Sequence, residues 1–193
     1  MSDTAVQEKI VKKTRRPRNL GIYTQMMITH RVSIPMTNVG DNIKQTLEKV
    51  IANEIEGKCI VEGFIKPGST RIVSYSSGEL HSSDAIFEAI IECLVCCPVE
   101  GMNIKCVAKS ITESAGIKAE VDEEPSPVII FIARDHNYTN NKFAKVKVGD
   151  KIVARVIGQR YELNDKYISI IAELREDKAE KYGTKKPKLT IKD

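Results

Sequence analysis

From Ile22 to Ile34 the residues alternate with period two: Tyr23, Gln25 and Met27 on one side, Thr24, Met26 and Ile28 on the other, then Val32 and Ile34. Such a run predicts a strand, and Pro35 closes it because proline has no amide for a ladder. The period then changes. Ile43, Leu47, Val50 and Ile51 recur at helical spacing, with Lys44, Glu48 and Lys49 on the wet side. Asp41 is the expected N-cap, since its carboxylate can accept the free amides of the first turn, and Gly57 is the expected stop. Lys58–Ile65, Arg71–Tyr75 and the largely apolar Ala85–Val95 read as three strands, separated by the turn Lys66-Pro67-Gly68-Ser69 and a loop over 76–84. The helix stripe is core packing against this sheet. A strand, a helix and three strands make an α+β N-terminal unit ending near Cys97, with Pro98-Val99-Glu100-Gly101 as the boundary.

Beyond it the pattern is all β. Asn103–Ser110, Gly116–Val121, Val128–Ala133, Lys151–Arg160 and Tyr167–Leu174 are five short strands, with a longer insertion before the fourth. The last two form a hairpin: Ile152, Ala154, Val156 and Gly158 share one face, Ile168, Ile170 and Ala172 point inward, and Asn164-Asp165 marks the turn. This suits a five-stranded OB barrel. The predicted organisation is an arm (1–19), an α+β unit (20–97), the barrel (98–174) and a tail (175–193).

Charge is unevenly placed. Residues 1–18 hold six basic against two acidic residues and 175–193 seven against four, while 19–174 hold 17 against 20. The arm and tail make the chain basic. Any nucleic-acid contact by the body therefore needs a local patch, and 134–166 offer one, with eight basic and four acidic residues. A basic hairpin on a closed barrel fits a single-stranded nucleic-acid platform, and equally an ordinary solvated strand. The arm Lys9–Arg18 could draw acidic partners or act as a nuclear localisation signal. Five cysteines at 59, 93, 96, 97 and 106 are an odd number without a disulfide framework, which points to a reducing compartment. No run reaches the length of a membrane span, and no apolar segment near the start reads as a secretory signal. Cys93-x-x-Cys96 lacks a second ligand pair and falls on a strand, where i and i+3 face opposite ways, so no metal is expected. Neither a phosphate loop nor a nucleophile elbow is present, and no cofactor is expected.

Three segments, in order, carry a family resemblance. They are Glu54-Ile55-Glu56-Gly57-Lys58-Cys59, then Ala85–Gly101 running through Pro-x-x-Gly, then Asp150-Lys151-Ile152…Val156-Ile157-Gly158-Gln159-Arg160…Asn164-Asp165. Over about residues 22–174 the chain resembles the stalk subunit of multi-subunit RNA polymerases, the seventh subunit of the eukaryotic enzyme and its archaeal RpoE counterpart. The resemblance implies a non-catalytic subunit of a DNA-dependent RNA polymerase acting in transcription. Its N-terminal unit would dock on the large core subunits, a smaller stalk partner would bind alongside, and the barrel would lie near nascent single-stranded RNA. The basic arm goes beyond the family pattern and would suit a large-DNA-virus version. That places the protein in the nucleus, or in host cytoplasm or virion if viral. The rival reading is a free-standing OB-fold RNA-binding factor in translation or RNA decay.

Such barrels often carry an aromatic after the glycine that opens the second strand; here Ile117 follows Gly116. The aromatic candidates therefore become Phe131, Tyr138, Phe143, Tyr161 and Tyr167. The residues expected at RNA are Arg134, His136, Lys142, Arg155, Arg160 and Lys166, with Lys118, Phe131 and Tyr138 added; Phe131, mid-strand, reads as core as readily as ligand. Two loops are expected at the polymerase core, together forming the tip of the N-terminal unit: Asn38, Val39, Gly40, Asp41 and Asn42, and Lys66, Pro67, Gly68, Ser69 and Thr70.

Overall fold

The computed structural model describes residues 21–112, 116–137 and 143–175. The expected arm, Tyr138, Lys142 and the tail beyond Arg175 lie outside them.

The N-terminal unit is one sheet with a helix on one face. Strand β1 (Tyr23–Pro35) is followed by a short 3-10 turn and helix α1 (Ile43–Ile55). The helix buries Leu47, Ile51 and Ile55, the stripe its periodicity predicts. Its cap differs from expectation. Asn42, not Asp41, is the N-cap, and no side chain caps it. The backbone turn does that work instead, Ile43 N donating to the Gly40 carbonyl at 3.0 Å. Glu48 is half-buried rather than wet, because its carboxylate accepts the Ile72 amide at 3.2 Å. Gly57 ends the helix as expected, at φ +71°, which favours glycine.

The single strand expected over Lys58–Ile65 is two, β2 (Cys59–Ile60) and β3 (Gly63–Ile65), paired antiparallel. After β4 (Arg71–Tyr75), part of the expected loop is a strand, β5 (Glu79–His81). These follow from β6 (Asp84–Cys96), which is 13 residues long. One edge of β6 pairs with all of β1, and the other is long enough to take β3, β4 and β5 in turn.

The second unit is a closed barrel in the order β10-β11-β9-β8-β7, built from β7 (Asn103–Thr112), β8 (Gly116–Glu120), β9 (Val128–Ile132), β10 (Lys151–Arg160) and β11 (Ile168–Leu174). β11 and β9 run parallel and the other neighbours antiparallel, the arrangement expected of an OB barrel. Ile152, Ala154, Val156, Ile168, Ile170 and Ala172 all point inward. Gly158 does not. A bulge between Val156 and Gly158 shifts the register, so Gly158 pairs with the outward Ile171. At Gly116 the chain passes so close to β9 that a Cβ would lie 2.2 Å from the Ile132 carbonyl oxygen, which reserves the position for glycine.

The two cores do not divide at the chain boundary. Cys59, Phe64, Cys96 and Tyr23 form one row across β2, β3, β6 and β1. All four are buried with the barrel's core rather than with the helix-side core. The last row of the sheet thus closes one end of the barrel.

Candidate nucleic-acid interface and the joint between the units

On the barrel exterior, cross-strand register assembles one row: Lys118 on β8 pairs with Phe131 on β9, Phe131 with Ile171 on β11, and Ile171 with Gly158 on β10. Phe131 is 45% exposed and Ile171 51%. Phe131 is therefore a surface aromatic, not core, because Val128, Ile130 and Ile132 take the inward positions around it. Ile117 is 2% exposed and faces the core. Its side chain is not the surface position where a base would stack; Lys118 follows it on the outside. Sequence reasoning missed Ile171, although its phase against Ile168, Ile170 and Ala172 marks it as outward.

The other RNA candidates do not converge. Arg134, and His136 in the same 3-10 turn, follow the end of β9, while Arg160 and Lys166 flank the hairpin turn at the opposite end of the barrel. The paired stretch of β11 and β9, from Ile168 to Ala172, separates them by about 13 Å. The basic side chains are also matched by carboxylates: Arg155 with Glu173 at 3.4 Å, Arg160 with Glu162 at 3.3 Å and Lys118 with Glu120 at 3.6 Å. Exposed pairs of this kind stabilise by only about 0–1 kcal/mol, yet each carboxylate offsets charge a phosphate would otherwise meet. The acidic rim is answered likewise, Lys151 pairing with Asp122 and Lys66 with Glu123.

The hairpin turn has a different role from the one expected. Cys59 N donates to the Asp165 carbonyl at 2.8 Å, and Asn164 N donates to the Cys59 carbonyl at 2.8 Å. Tyr161 Oη donates to the Val61 carbonyl at 3.0 Å. The turn thus adds to the edge of β2 and ties barrel to sheet. Asn164 takes φ +69°, a conformation asparagine tolerates. Nearby, Lys66 Nζ lies 4.5 Å from the Tyr23 ring centroid and 3.3 Å from Glu123. Burial, then the Glu123 carboxylate, hold the Tyr23 hydroxyl well above the usual phenol range.

These contacts bear on the expected docking loops. Loop 38–42 precedes α1 and loop 66–70 lies at its far end, where Glu56 accepts the amides of Gly68 at 2.8 Å and Thr70 at 3.0 Å. Thirteen helical residues separate them by about 20 Å, so they do not form one tip. Loop 38–42 is the distal one, beside the β5–β6 turn through Met36 N and the Ser83 carbonyl, while Lys66 belongs to the joint.

Cys93 lies in the helix-side core and Cys96 in the barrel core, so the C-x-x-C sulfurs serve two different interiors. Burial pushes the Cys96 and Cys106 thiols up to about 12, and those of Cys59 and Cys93 to about 11. Among the described residues no three metal-ligating side chains come together, and no helix is long and apolar enough to cross a membrane.

The arrangement defines a two-unit protein, a helix-backed sheet sealed onto an OB barrel that carries an aromatic and apolar row outside. No protein-family profile matches the chain. It is similar to the "Putative DNA-directed RNA polymerase subunit L376" of Acanthamoeba polyphaga mimivirus, 25% identical over 170 residues, with 79% of this chain and 82% of that protein covered.

Proposed function

We propose that the chain is a non-catalytic subunit of a multi-subunit DNA-dependent RNA polymerase of a large DNA virus, its stalk component. One observation carries the reading: the similarity to the mimivirus protein takes in 79% of the chain, more than either structural unit holds alone. In this reading the N-terminal unit docks on the large core subunits, with loop 38–42 foremost. The barrel meets the nascent transcript on its outer face. Phe131 stacks on a base there, Lys118 stands beside it, and Arg134 and Arg155 serve the phosphates.

Affinity purification of the tagged protein from its native cell, followed by mass spectrometry, tests the role. Large polymerase subunits at near-equal stoichiometry support it; recovery with ribosomes or RNA alone overturns it in favour of a free-standing RNA-binding factor. For the transcript contact, Phe131→Ala is expected to weaken single-stranded RNA binding about 5- to 150-fold, the range that about 1–3 kcal/mol of base stacking gives. Arg155→Glu with Arg160→Glu is expected to weaken RNA binding while polymerase association persists. Loss of association in that double variant would make the hairpin a protein interface.

A further inference from the structure

Strand edges are templates for another backbone, and proteins usually guard them by closure, short strands, bulges, charges or cover. Among the described residues this fold guards all but one. The barrel is closed. Along the far side of β6 the strands are only two to five residues long, β4 breaks register between Ile72 and Ser74, and the Asn164–Asp165 turn occupies β2.

β1 stands apart. It ends the sheet, and it pairs with β6 through all 13 residues without a register break. None of the hydrogen bonds of the described residues uses its other edge. In an antiparallel pair about half of a strand's amides and carbonyls point away from the partner. Here they form a line about 43 Å long, from the barrel joint at Tyr23 to the distal end at Pro35. The usual guards are missing: the proline is at the very end, His30 is held by Glu54 at 3.1 Å, and Arg31 is the one further charged residue in the strand.

We propose that the free edge of β1 receives an extended segment of another polymerase subunit as an added strand. This rests on the polymerase reading above. Donors and acceptors repeating at strand spacing fit a polypeptide backbone and little else. The side-chain pattern of the guest follows from the two faces. On the helix side it meets the half-buried Met26 and Val50, which call for apolar residues. On the other side it runs beside Gln25, Thr29, Arg31 and Ser33, which call for polar ones. The relative is named as one subunit of a multi-chain enzyme, which makes a different chain the occupant rather than a second copy.

Hydrogen exchange of the full chain, free and within the purified polymerase assembly, tests this, with fragmentation to resolve β1. The outward amides of β1 are expected to exchange at least about tenfold more slowly in the assembly, while β4 and β5 keep their free-state rates. A benzoylphenylalanine placed at Met27, whose side chain is 71% exposed, is expected to cross-link to a single subunit. If the chain assembles with the polymerase and the β1 amides exchange as in the free protein, the proposal is overturned and the polymerase reading stands. If the slowing appears in the isolated chain as its concentration rises, the occupant is a second copy and the proposal fails. If the chain does not assemble with a polymerase at all, the functional reading falls, and the proposal with it.

Discussion

Glu56 shows how much one side chain can organise. Its carboxylate receives two backbone amides of the loop after β3, and so fixes that loop against the end of α1. Glu56→Ala is expected to lower stability by about 1–3 kcal/mol, read from urea unfolding, because two amides lose a charged acceptor. The thiols make a second prediction at this scale. Cys59, Cys93, Cys96 and Cys106 have folded values of about 11 to 12, above the ordinary thiol value of 9.0. Below pH 9 both states keep the proton and the stabilisation is complete. Above it the unfolded chain ionises first, so stability is expected to fall as pH rises from about 9 to 12. Urea unfolding at pH 8 and pH 10 checks this, and Cys106→Ala is expected to flatten the decline. Sequence reasoning reached the inertness of the C-x-x-C pair through strand parity. It could not reach Glu56, because spacing does not say which amides a carboxylate will meet.

At the scale of elements, the β10–β11 hairpin was the most legible stretch, and its strands lie close to where alternation puts them. The bulge at Ile157 was not legible, nor was the partner of the turn. Asn164-Asp165 announces a turn, but only the folded chain brings it to Cys59. The same holds for β5, a strand formed because β6 has edge to spare, not because Glu79–His81 favours one. Asn164→Val is expected to cost about 1–2 kcal/mol, since a β-branched residue resists positive φ. Tyr161→Phe removes one hydrogen bond and is expected to cost about 0.5–1.5 kcal/mol. Both should speed proteolysis across 98–102, whereas Arg160→Ala, at an exposed ion pair, should leave it unchanged.

For the whole molecule, the fold class was readable because the period of the apolar pattern changes at the boundary. What it could not show is that the cores cross that boundary. Phe64 is fully buried in the row that closes the barrel, yet it sits on a strand of the N-terminal sheet. Calorimetry is therefore expected to show one transition rather than two. Phe64→Ala is expected to cost about 3–5 kcal/mol and to lower the melting of both units together. Two separated endotherms in the unaltered protein would contradict a shared core.

The row Cys59–Phe64–Cys96–Tyr23 also sets a timetable. The sheet is complete once Cys96 has left the ribosome, but the barrel strands that cover this row end only at Leu174. At ordinary synthesis rates of about 5–20 residues per second the interval is about 4–16 s. Throughout it a newborn chain shows an aromatic and thiol face with nothing yet made to shield it. Of all the surfaces on this protein, that transient one has the greatest need of a chaperone.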